Sequence, residues 1–363
     1  MQDETGFSPQ TYHIATATRG SRVAGGCVVL ILVALAALPA FAGRSLIQDL
    51  IFIFYMLALA QCWNLLAGYA GLISVGQQAF VGLGGYSLFA LTITAGLDPL
   101  LAIPLSGVVC GVLALPAAFI VFRLRGAYFA IGTWVVAEVC RLVMAQIKQL
   151  GGGTGTSLPS AVTSGLAGIE AVKTLFAVRA PAARDIMSYW IALLLVTVTL
   201  AVLYGVLRSR RGLALGAIRD SEDAAASLGV DIFRVKLTVY VATSAVTGMI
   251  GALIYLQKAR ISPDAGFAVL DWTAYVIFIV VIGGIGTVEG PVIGALIFYA
   301  LQHYLADFGA LYLILLGTLG ILIMLFAPTG LWGFVAERHR LTLFPTRRRL
   351  AIRSSGIRQS PPD

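Results

Sequence analysis

Charged residues are scarce in this chain. Only 12% of its 363 residues are Asp, Glu, Lys or Arg, whereas 59% are hydrophobic, and the mean hydropathy is +0.91. Soluble domains carry about 25% charged residues, so this composition excludes a water-soluble protein. No charge occurs between Leu50 and Leu97, a stretch of 48 residues. As one helix it would extend roughly 72 Å, more than twice the roughly 30 Å of a bilayer core, so it predicts two membrane crossings joined by a turn.

Histidine, lysine and cysteine are also rare, and their positions argue against several chemical functions. The histidines are His13, His303 and His339, and no nucleophile stands at a catalytic spacing from them, which argues against a membrane-embedded enzyme. None of the lysines follows a glycine, so the chain has no P-loop for ATP. The cysteines occur singly in apolar runs, which indicates neither disulfides nor a zinc site. We therefore predict no catalytic residue, no metal and no bound cofactor.

Apolar runs of spanning length recur along the chain and predict an all-α polytopic membrane protein. A tail at 1–22 precedes a transmembrane region at 23–330, and a basic tail occupies 331–363. The first run ends in an A-x-A pattern that would suit a cleaved signal peptide, although its twenty residues also suffice for a retained span. The ten predicted spans are 23–42, 46–66, 69–95, 100–122, 127–147, 187–207, 237–257, 272–288, 290–306 and 311–327.

The charge that is present is mostly basic, with a formal net charge of +8. In a membrane protein such an excess reflects basic cytoplasmic loops rather than a nucleic-acid partner. With ten spans, 17 of the 25 Lys and Arg residues fall on the side of the N terminus and 7 on the opposite side. The positive-inside rule then predicts that both termini are cytoplasmic.

The stretch from Gly68 to Tyr86 interrupts the helical pattern, because six of its nineteen residues are glycine. Each glycine costs a helix interior roughly 1 kcal/mol relative to alanine, and irregular backbone at membrane depth must be buried in protein or line a polar cavity. We therefore predict a broken helix beside a translocation path. Each candidate path residue could instead serve helix packing. The candidates are Asn64, Ser74, Gln77, Gln78, Thr133, Glu138 and Arg141.

Glu138 and Arg141 stand three positions apart in the fifth predicted span and so share one helical face. Each charge would cost about 2.5 to 3.5 kcal/mol at the bilayer centre. Both therefore need a partner or water. An ion pair within the helix and a role in the path satisfy this requirement equally well.

The basic connector at 208–236 contains a short helical pattern from Asp220 to Gly229. Asp220 or Ser221 can cap its N terminus, acidic residues occupy its first turn, and Gly229 ends it. Such a helix is too short to be stable alone in water. It must pack on its own loop, on lipid head groups or on a cytoplasmic partner.

Five segments of the chain carry a further signal: NLLAGYAGLISVGQQAFVGLGGY at 64–86, GAYFAIGTWVVAEVCRLV at 126–143, GAIRDSEDAAASLGVDIFRVK at 216–236, ARISPDAGF at 259–267 and VIGGIGTVEGPVIGA at 281–295. In this order they resemble the LivM-type membrane subunits of bacterial branched-chain amino acid ABC importers. The resemblance covers about 45–335. Gln77 stands where that family usually has histidine, and GGGTGT replaces the family's TGG-x-x-G pattern.

The resemblance implies an importer half with an inverted repeat, located in the bacterial inner membrane and carrying leucine, isoleucine or valine. It implies as partners a second, LivH-type permease, two ATP-binding subunits that hydrolyse ATP, a periplasmic substrate-binding protein and membrane lipid. The helix at 220–229 would be the coupling helix, with Glu222 and Asp223 facing the ATPase. The residues expected to couple to the ATPase are Arg219, Glu222, Asp223, Ala224, Ala225 and Gly229.

Two other functions remain open at this point. A relative of the same family could carry urea, short amides or aromatic acids. Alternatively, an ion-coupled secondary transporter could use Glu138 and Arg141 as its relay.

Overall fold

The computed structural model describes residues 12–15, 19–339, 344 and 349–352. Most of both predicted tails, including Arg347 and Arg348, lies outside the described residues. Two short antiparallel pairs are present, β1 (Tyr12–Ala15) with β4 (Arg349–Ile352) and β2 (Thr156–Ser157) with β3 (Arg260–Ile261). The helices are α1 (Arg19–Ala37), α2 (Arg44–Asn64), α3 (Gln77–Ile93), α4 (Pro99–Val121), α5 (Ala127–Gln146), α6 (Ser160–Ser164), α7 (Ile169–Phe176), α8 (Ala180–Arg208), α9 (Arg210–Asp220), α10 (Glu222–Ser227), α11 (Ile232–Lys258), α12 (Pro263–Gly266), α13 (Tyr275–Gly283), α14 (Gly290–Leu305), α15 (Ala310–Phe326) and α16 (Gly330–His339).

The all-α, membrane-spanning class is confirmed. Among the described residues, seven helical stretches are long and apolar enough to cross a membrane. The other three predicted spans correspond to shorter helices, α1, α3 and α14, so ten is an approximate count of crossings. The seven stretches are Arg44–Tyr69, Pro99–Val121, Ala127–Gln146, Ala180–Arg208, Ile232–Lys258, Pro263–Gly283 and Leu311–Ala336.

Several predicted span boundaries are wrong by five residues or more. The seventh span begins at Ile232 rather than residue 237, and the eighth ends at Gly283 rather than residue 288. The third helix begins at Gln77 rather than residue 69, because the preceding segment is not helical.

The sixth span begins at Ala180 rather than residue 187, and therefore contains Asp185. Arg44 pairs with the buried carboxylate of Asp185 at 2.6 Å, and the Gln48 amide donates to it at 3.0 Å. A partner on α2 thus allows a charge that the hydropathy pattern excluded from the span.

The core lies around α2, whose candidate membrane span is 89% buried within the chain. α2 packs against α8, α11, α13 and α14, and α11 packs in turn against α3 and α4. Close approach between α3 and α11 depends on small residues, since a Cβ on Gly84 would lie 2.0 Å from the Gly248 carbonyl oxygen. Glycine contacts of this kind hold membrane helices together through van der Waals packing.

The two halves of the chain contain similar elements, although the π turn and the irregular segment follow each other in opposite order. α2 runs through a π turn at Leu65–Tyr69 into a non-helical segment and then the shorter α3. α11 is likewise followed by an irregular stretch and a π turn at Leu270–Ala274, and then by the shorter α13. If all ten predicted spans cross the membrane, α2 and α11 are offset by five spans and run in opposite directions. The inverted repeat that the family resemblance implies therefore stays a prediction.

Candidate functional site

The link between α2 and α3 is a non-helical segment, residues 71–76, in which Leu72, Ser74 and Gly76 are buried and Gly71 and Ile73 are exposed. It starts after the π turn Leu65–Tyr69, at Gly71, whose φ of 69° suits glycine. The Trp63 indole donates to the Ser74 carbonyl at 2.8 Å. The Ser74 carbonyl has no partner in a helix, so the Trp63 side chain supplies its hydrogen bond. Irregular backbone at membrane depth requires such partners, because no water is available there.

Thr133 of α5 forms a hydrogen bond with the end of the segment at 71–76. Its hydroxyl accepts the Val75 N–H at 3.0 Å and donates to the Ala130 carbonyl at 2.8 Å. A Cβ on Gly76 would lie only 2.2 Å from the Thr133 carbonyl oxygen. The start of α3 can therefore touch the backbone of α5 only because residue 76 lacks a side chain.

We expect Gly76→Ala to separate α3 from α5 and to destabilise the protein by about 1 to 3 kcal/mol, the usual range for overpacking. Gly43→Ala is the matched control, because Gly43 also precedes a helix, has a negative φ of −69°, and has open space at its Cβ position. Thermal unfolding of both variants in detergent measures the difference. Equal melting temperatures would contradict this close contact.

A small cavity lies where α3 begins, with room for about one water molecule. The Gln77 amide nitrogen donates to the Leu59 carbonyl at 2.9 Å, while its buried Oε1 has no partner among the described residues. A branched-chain amino acid does not fit in a cavity of this size. The lining residues are Cys62, Leu66, Ser74, Gln77, Phe80, Tyr240, Thr243, Ser244 and Thr247.

Asn64 and Gln78 tie helices together and do not line this cavity. The Asn64 amide donates to the Thr287 carbonyl and accepts the Gly286 N–H, both at 2.8 Å. The Gln78 N–H donates to the Thr273 hydroxyl at 3.3 Å, and that hydroxyl donates to the Gln78 Oε1. Each of these buried groups links the first half of the chain to the second.

Glu138 and Arg141 form the ion pair that their spacing allows, at 2.6 Å, and Arg141 also pairs with Asp264 at 2.8 Å. α5 is a candidate membrane span that is only 17% buried within the chain. Since a charge facing lipid at the centre of a span costs about 2.5 to 3.5 kcal/mol, this side of α5 is expected to meet water or another protein.

The connector forms two helices, α9 and α10, at one end of the bundle. Ser221 separates them and caps α10 by accepting the Ala224 N–H at 3.3 Å, whereas Asp220 ends α9. The predicted helix at 220–229 is therefore present but shorter, Glu222–Ser227. Gly229 follows it with a left-handed φ of 81°.

The predicted coupling residues differ in accessibility. Arg219 donates from Nη1 to the Gly68 carbonyl at 3.1 Å and so contacts the π turn that follows α2. Glu222 forms an ion pair with Lys236 of α11. Ala225 is buried, while Ala224 is exposed.

Asp223 is exposed and has no ion-pair partner in the described part of the chain. Of the two acids expected to face a partner, Asp223 is thus the one whose carboxylate is free to do so.

The structure adds residues that the sequence prediction missed. Leu228, next to Gly229, is 80% exposed. Thr243, Ser244 and Thr247 of α11 line the cavity, and their close spacing in an apolar span was a usable signal. No sequence signal places Asp264 beside Arg141, because 123 positions separate them.

A family model described as "Branched-chain amino acid transport system / permease component" matches residues 45–327. The "High-affinity branched-chain amino acid transport system permease protein LivM" of Salmonella typhimurium is 31% identical over 279 residues, which cover 74% of this chain and 65% of that protein. LivM of Escherichia coli is 29% identical over 315 residues, which cover 84% of this chain and 74% of that protein.

BraD of Pseudomonas aeruginosa, also named a high-affinity branched-chain amino acid permease protein, is 31% identical over 157 residues, 41% of this chain and 49% of that protein. No solved structure matches the chain. The region that the family model matches includes the broken helix at 71–76, the α5 ion cluster and the connector. The chain therefore belongs to the family of permease components of branched-chain amino acid transport systems.

Proposed function

We propose that this chain is a membrane permease of an ATP-driven importer that carries leucine, isoleucine or valine across the bacterial inner membrane. Its relatives bear the names of branched-chain amino acid permease proteins. The observation that carries the proposal is the hydrogen bond from Arg219 to the Gly68 carbonyl, 3.1 Å long. It joins the exposed connector to the π turn that leads into the break beside the small cavity.

The contacts at Gly68 support a mechanical role for this bond. A Cβ on Gly68 would lie 2.5 Å from Asn64 Oδ1 and 2.6 Å from the Gly286 nitrogen, so the backbone of the second half packs directly on it. A movement of α9 would therefore act through Arg219 on both halves of the chain. ATP-binding subunits that hold α10 could thereby open and close the segment at 71–76.

The partners follow from the same proposal. One of the two ATP-binding subunits binds at α10, a second permease faces the poorly buried side of α5 across the substrate path, and a periplasmic binding protein delivers substrate at the opposite end of the bundle. The chain itself supplies no ATPase site.

Both termini lie in the cytoplasm in this proposal. The Lys and Arg distribution supports it, as does the pairing of β1 with β4, which brings the two tails together. A topology reporter fused after Gly165 should be active only in the periplasm. Activity of that reporter in the cytoplasm would contradict the orientation.

The decisive experiment reconstitutes this chain with its second permease, ATP-binding subunits and binding protein in liposomes. We expect leucine uptake that requires ATP and persists after the proton gradient is collapsed. Uptake without ATP that stops with the gradient would instead indicate a secondary transporter. ATP-dependent uptake of urea, amides or aromatic acids without leucine uptake would keep the importer class and overturn the substrate.

A further inference from the structure

Three charged side chains from two distant parts of the chain meet on the surface of α5. Arg141 donates from Nε and Nη2 to the Glu138 carboxylate, at 3.0 and 2.6 Å. Its Nη1 donates to Asp264 Oδ1 at 2.8 Å. The guanidinium thus bridges a carboxylate of its own helix and one from α12, and the cluster holds one positive and two negative charges.

The cluster is accessible although it belongs to a membrane-spanning helix. Glu138 and Arg141 lie in the second half of α5, roughly 12 and 8 Å before its end at Gln146 at the helical rise. Their side chains are 42% and 27% exposed, and that of Asp264 is 83% exposed. Accessible charges within a membrane span are typical of substrate or ion pathways rather than of lipid-facing surfaces.

An aliphatic surface continues directly from the charges. Ile131 and Val135 precede Glu138 by seven and three positions, and Leu142 follows it by four. At these spacings all three lie on the same side of α5 as Glu138. All three are exposed. The surface therefore offers a dipolar charged centre next to branched apolar side chains.

We propose that Glu138, Arg141 and Asp264 bind the zwitterionic head group of a neutral amino acid, whose aliphatic side chain lies along α5. This inference rests on the proposed function and locates its substrate contact. A guanidinium pairs with a carboxylate through two parallel hydrogen bonds, so Arg141 receives the α-carboxylate. Asp264 exchanges its bond to Arg141 for one to the α-ammonium, and Glu138 keeps the guanidinium oriented. The exchange leaves the net charge of the cluster unchanged.

The cluster also joins α5 to α12, and substrate would release that link. The Arg141–Asp264 bond is the ion pair between these two elements in the described part of the chain. Substrate entry at this point would thus loosen α12, which packs on α3.

The test measures binding of radiolabelled leucine to the purified assembly of both permeases and ATP-binding subunits, prepared without the binding protein. We expect weak, saturable binding that valine displaces and that leucinamide, which lacks the carboxylate, does not. Arg141→Gln and Asp264→Asn should each weaken binding by about tenfold or more, since each leaves a charge unpaired. Glu170→Gln is the matched control, because Glu170 forms an exposed three-residue-spaced pair with Lys173 on α7.

A structural role for the cluster gives different results. In that case Asp264→Asn would lower the melting temperature while leucine affinity in the folded fraction stayed unchanged. Wild-type assemblies that bind no leucine, or variants that bind it as the wild type does, would overturn the inference. If Arg141→Gln assemblies also import leucine with the wild-type KM and ATP requirement, the proposed function stands while the binding site fails. Should Arg141→Gln not assemble, Asp264→Asn decides, because its side chain is mostly solvent-exposed.

Discussion

Leu228→Asp is expected to abolish ATP-driven transport while leaving the permease folded. Leu228 follows α10 and is 80% exposed, which is unusual for a leucine at the water-exposed end of the bundle. Burying such a side chain in a partner contributes about 2 kcal/mol, or roughly thirtyfold in affinity. A carboxylate in the same contact would also have to be desolvated. Co-purification of ATP-binding subunits and leucine-stimulated ATP hydrolysis should both fall.

Leu175→Asp provides the matched control for this variant. Leu175 of α7 is 75% exposed and belongs to the loop predicted to lie on the opposite side of the membrane. Its substitution removes a similar apolar surface without touching the connector. If Leu228→Asp retained the ATP-binding subunits and transport at the level of Leu175→Asp, the coupling assignment of α10 would be wrong.

Gly84→Ala should disrupt the centre of the bundle. The added Cβ would lie 2.0 Å from the Gly248 carbonyl oxygen and 2.7 Å from the Gly248 carbonyl carbon. Both are backbone atoms of α11, so no side chain can rotate away and the two helices must separate. We expect a loss of stability of about 3 kcal/mol, at the upper end of overpacking effects, although alanine is the better helix former by about 1 kcal/mol.

Gly205→Ala isolates the packing effect from the helix propensity. Gly205 lies within α8 and has no atom within 4 Å of the ideal Cβ position. This variant should therefore match the wild type or exceed its stability by up to about 1 kcal/mol. Thermal unfolding in detergent, followed by size-exclusion chromatography, compares the two variants. A Gly84→Ala protein as stable as Gly205→Ala would show that α3 and α11 do not pack so closely.

Most membrane helices were predictable because hydropathy acts locally. The absence of charge between Leu50 and Leu97 placed α2 and α3, and the glycines from Gly68 onward placed the break between them. The predicted start of α8 was wrong because a residue distant in sequence neutralises a charge inside that helix. Asp185 lies inside α8 because Arg44 of α2 neutralises it.

The sequence predicted which polar residues lie near the break between α2 and α3, but not which groups they contact. Gln77 and Ser74 are among the residues that line the small cavity. Asn64 and Gln78, equally polar and equally close in sequence, are instead held by Thr287 and Thr273, more than 190 positions away. Whether an amide lines a path or ties two helices together depends on its neighbours in space.

The sequence alone determined the membrane class, the order of spans, the broken helix and the short connector helix, because composition, glycine content and capping residues act over a few neighbouring positions. The tertiary structure alone decided which groups meet. It placed Asp264 beside Arg141 and the Arg219 guanidinium on the Gly68 carbonyl, across separations of 123 and 151 positions. Such contacts depend on helix packing across the whole bundle, which no local pattern encodes.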